Sequence, residues 1–214
     1  PIQGEAGIVI PDSKWLPEAR KICTENNVLL ILDEIQSGLG RTGKMFAFEH
    51  SSISPDGLIL GKALGGGLLP ISCFLSTKEV MQWFVPGSHG STFGGFPLAA
   101  AIGKRSLELI EEEKLVQNSK KQGSYLLEEL KKISSPVIKQ IRGKGLWIGV
   151  EIDTKIINGR NMSERLLSKG ILSKETHAST IRFAPPLTIK KKEIDWAVTV
   201  IKETLREIEE EHIR

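Results

Sequence analysis

The sequence predicts an α/β protein: part of a large, mostly parallel-sheet domain over residues 1–112, then a small α+β domain over 113–214. Three observations carry this. Short apolar runs alternate with helical spacing up to about residue 80. The run Val28 to Leu32 ends directly in Asp33-Glu34-Ile35-Gln36, as a buried strand does at its carboxyl end. Beyond about residue 110 the pattern changes to two helices and then short strand candidates set between further helices.

Taken in order, Ile8-Val9-Ile10 reads as a short strand and residues 14–26 as a helix through Trp15, Leu16, Ala19 and Ile22. Val28 to Leu32, Leu58 to Leu60 and Ile71 to Leu75 are apolar enough to be strands of a buried parallel sheet. Asp33 then falls at a strand's carboxyl end, the edge where open α/β sheets bind ligands. Gly87 to Gly95 is a glycine-rich loop, and Pro97 stands near the start of a helix that runs to about Ile110. A second helix, Leu115 to Ile133, is amphipathic through Val116, Tyr125, Leu126, Leu127 and Leu130. Val137 to Ile141, Leu146 to Ile152, Gly170 to Leu172 and Thr180 to Phe183 are strand candidates, with helices over 161–168 and 190–209.

Bulk properties narrow the class. The 29 basic and 26 acidic residues are spread along the 214-residue chain, and no block is dense enough for nucleic acid or an anionic membrane. Lys190-Lys191-Lys192 reads as the solvated start of a terminal helix. No apolar run approaches the roughly 18 residues that span a bilayer. Cys23 and Cys73 match no metal or redox spacing, so the expectation is no metal site, no disulfide and a cytoplasmic protein. Pro1 to Gly7 reads as the interior of a longer chain.

Asp33 and Lys62 are the leading candidate pair. Lys62 lies between Leu60-Gly61 and Ala63-Leu64-Gly65-Gly66-Gly67. A strand-end carboxylate and a glycine-flanked lysine are the two protein groups that pyridoxal phosphate chemistry most needs: the acid keeps the ring nitrogen protonated and the amine forms the Schiff base. Other readings compete. Val28 to Glu34 also fits the Asp-Glu strand of a P-loop ATPase, and Gly38 to Lys44 reads G-x-x-x-x-G-K. Met45, however, stands where the magnesium-binding hydroxyl belongs, and a phosphate loop should precede the acidic strand. Gly38, Gly40 and Gly43 match G-x-G-x-x-G, but no acid follows near 20 positions on to hold a ribose.

Five motifs in order decide the matter. They are Pro1 to Gly7, Leu32 to Gly43, Leu60 to Gly67, Pro86 to Gly95 and Ile181 to Leu187. Together they resemble the class III aminotransferases, pyridoxal-phosphate enzymes of fold type I, and within them the branch that acts on ornithine; the similarity runs over essentially the whole chain. The resemblance implies pyridoxal 5'-phosphate as cofactor, with Asp33 on the pyridinium nitrogen, Gln36 on the phenolic oxygen, Ile35 on one ring face and Lys62 as the Schiff-base lysine. Thr92, helped by Ser91, would reach the cofactor phosphate of a neighbouring subunit in a homodimer with a shared active site. Glu5 and Arg182 occupy the positions of a gate in which the glutamate masks the arginine for an ω-amine donor and frees it for a dicarboxylate. The implied substrates are ornithine, 2-oxoglutarate and glutamate, with acetylornithine or another ω-amino acid as the alternative donor. Phe96 departs from the pattern, since many relatives carry asparagine there. The family places further cofactor-gripping residues upstream of Pro1, so this chain alone is expected to be inactive.

Overall fold

The structure is a computed structural model, and it describes residues 1–212. The chain forms two compact units. The first comprises Pro1, Pro11–Gly40 and Lys44–Leu115; the second comprises Ile2–Ile10, Arg41–Gly43 and the chain from Val116 onward.

In the first unit, helix α1 (Trp15–Glu25) precedes strand β1 (Ile31–Asp33), followed by β2 (Gly57–Leu60), β3 (Cys73–Ser76), the short helix α2 (Lys78–Met81) and α3 (Pro97–Glu112). β1 and β2 are parallel, with Ile31 opposite Gly57 and Asp33 opposite Ile59. β3 is antiparallel to β2, which corrects the parallel reading of Ile71 to Leu75. The connection from Leu60 to Cys73 holds only the 3-10 turn Lys62–Gly65, with Gly66 and Gly67 left-handed, so the chain doubles back instead of crossing over through a helix.

Two other expectations change. β1 begins at Ile31 rather than Val28, because Val28 N–H is taken by Cys23 O at the end of α1 and Leu30 N–H by the Asp56 carboxylate. Ile8 to Ile10 forms no strand. Ile8 has φ 56°, a conformation a β-branched residue rarely adopts, and only Gln3 and Val9 pair, as a bridge closing a tight loop.

The second unit is α+β. Helix α4 (Leu115–Lys131) leads into β4 (Ile138–Gly143) and β5 (Ile148–Ile152), then α5 (Gly159–Ser168), β6 (Lys174–Thr176), β7 (Thr180–Phe183) and α6 (Lys191–His212). The sheet order is β4-β5-β7-β6, all antiparallel. Its core joins Ile148, Val150 and Ile152 of β5 and Ile181 of β7 to a stripe on α6: Ile194, Val198, Ile201, Leu205 and Ile208, spaced by threes and fours. Gly170 to Leu172 is not a strand. Gly170, at φ 91°, closes α5 by donating to Leu167 O, and the ladder starts only at Lys174.

One close approach sets the packing of α4. A Cβ added at Gly123 would lie 2.1 Å from the backbone of Gly145, in the turn between β4 and β5. Helix and turn touch main chain to main chain there.

Candidate functional site

The turn after β1 carries Asp33, Ile35 and Gln36. The N–H of Glu34 donates to Ile59 O at 2.9 Å, which extends the parallel ladder one residue past the strand. Asp33 is exposed, and its Oδ1 accepts the N–H of Ile35 at 2.9 Å. Gln36 is half-buried.

Lys62 follows β2, the parallel neighbour, so both turns leave the same end of the sheet. Lys62 is exposed and left-handed, with φ 46°. A lysine gains nothing from that conformation by itself, and such strain gathers at functional positions. Ile35 reaches across to this second turn: a Cβ on Gly61 would stand 3.5 Å from Ile35 Cγ1 and Cγ2.

A cavity of about 600 Å³ opens beside them, with Ile35, Lys62, Ser72, Ser91, Phe93 and Phe96 in its walls. The structure therefore brings Ile35, Lys62 and Ser91 to one cavity. Asp33 and Gln36 lie on the turn that carries Ile35, and Thr92 beside Ser91, but none of the three lines it. Ser91 Oγ accepts the N–H of Gly94 at 2.9 Å, tightening the glycine-rich loop. Ser72 and Phe93 were not legible as walls: Ser72 sits inside an apolar stretch that signals only a strand, and Phe93 had no signal beyond its place in the loop motif.

Glu5 and Arg182 meet in the second unit. Arg182 Nη1 donates to Glu5 Oε1 at 2.7 Å, with the arginine side chain 14% exposed and the glutamate 63%. The backbone under Glu5 is held in two places: its carbonyl accepts from Thr176 Oγ1, and Arg142 Nε donates to Gly7 O at 2.9 Å. Arg142 is itself fixed by Glu151 at 2.6 Å. The loop can lie on the sheet because Gly149 of β5 has no side chain; a Cβ there would stand 2.9 Å from Gly7 O. Arg41, which sequence reasoning gave no role, donates to Leu146 O and Pro185 O, and burial pushes its guanidinium down to about 10. It still carries its charge at neutral pH and ties down the segment just after β7.

Among the described residues no group of three or more His, Cys, Asp or Glu side chains is placed to hold a metal, and no helix is long and apolar enough to cross a membrane. After Lys44 the chain enters the 3-10 turn Ala47–Ser51 instead of the helix that a phosphate loop requires.

The family model "Aminotransferase class-III" matches residues 1–205. The chain is 57% identical over 206 residues to an ornithine aminotransferase of Bacillus subtilis, covering 96% of this chain and 51% of that protein. It is 55% identical over 202 residues to one of Staphylococcus carnosus, covering 94% and 50%. Among solved structures, the ornithine aminotransferase of Toxoplasma gondii superposes with a TM-score of 0.96 at 41% identity, over 100% of this chain and 51% of that one. The acetylornithine aminotransferase of Elizabethkingia anophelis superposes with a TM-score of 0.92 at 40% identity, over 97% and 53%. The chain thus spans about half the length of the curated relatives it matches.

Proposed function

The chain belongs to the class III aminotransferases, and we propose that it forms part of an enzyme that moves the δ-amine of ornithine to 2-oxoglutarate with pyridoxal 5'-phosphate as cofactor. The products would be glutamate 5-semialdehyde, which cyclises, and glutamate. One observation carries this reading: the amine of Lys62 and the apolar face of Ile35 share a cavity next to the turn that presents Asp33.

The residues present suit the cofactor. The cavity joins an amine, an apolar wall and a hydroxyl, and a Cβ at Gly95 would meet nothing within 4 Å, so backbone lies open to an anion. When bound, pyridoxal phosphate supplies an aldehyde for the substrate amine and a cationic ring that withdraws electrons from the neighbouring carbon. Asp33 would hold the proton on the ring nitrogen. Lys62 would hold the cofactor through Nζ and, as a free amine, would move a proton at the substrate carbon. Ile35 would pack on one ring face and Gln36 would hydrogen-bond the phenolic oxygen. Thr92, helped by Ser91, would donate its hydroxyl to the phosphate held by a second copy in a homodimer. Arg182 receives a substrate carboxylate when Glu5 lets it go, which a bidentate guanidinium is suited to do.

The two cysteines are free thiols, which accords with a cytoplasmic setting. Acetylornithine is the second reading for the donor, favoured by the Elizabethkingia anophelis likeness.

The test is the visible absorbance of the full-length protein with pyridoxal phosphate, followed on adding ornithine or N-acetylornithine. A visible band that ornithine bleaches supports the reading. A response to N-acetylornithine alone moves it to the alternative donor, and absence of any band ends it.

A further inference from the structure

Glu34 is a buried carboxylate to which the chemistry above gives no task. It stands between Asp33 and Ile35 and is 1% exposed. The period-two alternation at the strand end turns its side chain to the face opposite Asp33. Oε2 accepts the N–H of Ala47 at 2.6 Å and the hydroxyl of Ser37 at 3.3 Å, and Oε1 accepts the N–H of Phe48 at 2.8 Å. Ala47 and Phe48 open the 3-10 turn Ala47–Ser51, whose first N–H groups have no partner within the turn. The main chain at Glu34 is gripped as well. Its N–H donates to Ile59 O, and its carbonyl accepts from Gly38 at 3.0 Å, a contact so close that a Cβ on Gly38 would stand 2.8 Å from that oxygen.

We propose that Glu34 is a positioning residue for cofactor binding: by clamping the turn after β1 onto Ala47 and Phe48, it sets where Asp33, Ile35 and Gln36 stand. This rests on the cofactor reading above. The turn that leaves a three-residue strand has little ladder to hold it, and a carboxyl that accepts from two backbone N–H groups supplies what the short ladder lacks. Burial pushes the Glu34 carboxyl up and the two N–H groups oppose that, so the site keeps a costly group in place by giving it donors on both oxygens.

The experiment uses the full-length protein with Glu34→Gln, Ala47→Pro and Asp33→Asn. Glu34→Gln turns one acceptor into a donor facing a donor. Ala47→Pro removes one donor and leaves the carboxylate; Phe46, at φ −125° and ψ 146°, already has the extended backbone that precedes proline. Three quantities are read: the Kd for pyridoxal phosphate, the pH midpoint of its visible band when bound, and the melting of cofactor-free protein. Glu34→Gln should raise the Kd about ten-fold, as losing a residue that orients a ligand does. It should also move the midpoint in the direction that Asp33→Asn does, and Ala47→Pro should follow with a smaller effect. Wild-type Kd and midpoint in whichever of the two variants folds, with only the melting lowered, would overturn the proposal. Failure of the wild type to bind the cofactor, or no response of the band to Asp33→Asn, would instead overturn the cofactor reading and this proposal with it.

Discussion

Arg182 donates to Glu5 at 2.7 Å across 177 positions of sequence, and the arginine is nearly enclosed while most of the glutamate side chain faces solvent. Thr176 and Arg142 hold the backbone around Glu5. Glu5→Ala in the full-length protein should shift the ratio of kcat/KM from ornithine toward glutamate by roughly ten-fold or more, the worth of a charge-assisted hydrogen bond of about 1.5–3 kcal/mol. Melting should fall as well, since the nearly enclosed Arg182 guanidinium loses that carboxylate. An unchanged ratio would remove the gate.

Lys62→Ala should lower turnover by at least about 10²–10⁴-fold in the full-length protein while the fold persists. The left-handed backbone adds a second expectation. Lys62→Gly should be equally inactive yet melt higher than Lys62→Ala, by up to about 1 kcal/mol, because only glycine is free of strain at φ 46°. Scanning calorimetry of the two variants measures the difference.

Gly123→Ala tests the contact between α4 and the turn after β4. On an exposed helix this change adds about 1 kcal/mol of stability. Here the new methyl would stand 2.1 Å from the backbone of Gly145, so the sign reverses and the cost should reach about 1–3 kcal/mol or more. Urea denaturation reports it, and a stabilised Gly123→Ala would refute the main-chain contact.

Asp56 ties β1 to the loop before β2. Its Oδ2 accepts the N–H of Leu30 at 2.7 Å and Arg20 Nη1 at 2.5 Å, and these hold its carboxyl below the ordinary value, the Leu30 N–H most of all. A carboxyl lowered in the folded state stabilises the fold above its unfolded pKa, near 3.8, and that contribution disappears as pH falls through the lower folded value. Asp56→Asn should therefore cost stability at neutral pH and narrow the gap to wild type in acid. Thermal melts between pH 2 and 7 show whether the two curves converge.

Local pattern carried much of the fold. Thr180 to Phe183 is β7 residue for residue, Leu58 to Leu60 lies in β2, and the helices after Pro97, Leu115 and Lys190 follow their apolar stripes. Such patterns are legible because a helix or strand needs its apolar residues at 3.6 or 2 positions whatever else surrounds it. The same reasoning overran at Val28, where exposed Val28 and Leu29 look identical in sequence to buried Leu32, but the N–H of Val28 is taken by α1 and that of Leu30 by Asp56.

The sequence by itself determined the family motifs, the chemistry available at Asp33, Lys62, Ser91 and Thr92, and which faces are apolar. Only the tertiary structure decided that β3 runs against β2, that Ile8 turns left-handed, and that Arg182 finds Glu5 while Glu34 finds Ala47 and Phe48. Periodicity records whether a side chain faces inward and says nothing of strand direction or of which distant group it meets. Those follow from register, from close approaches at glycines such as Gly149 and Gly38, and from the need of every buried polar group to find a partner.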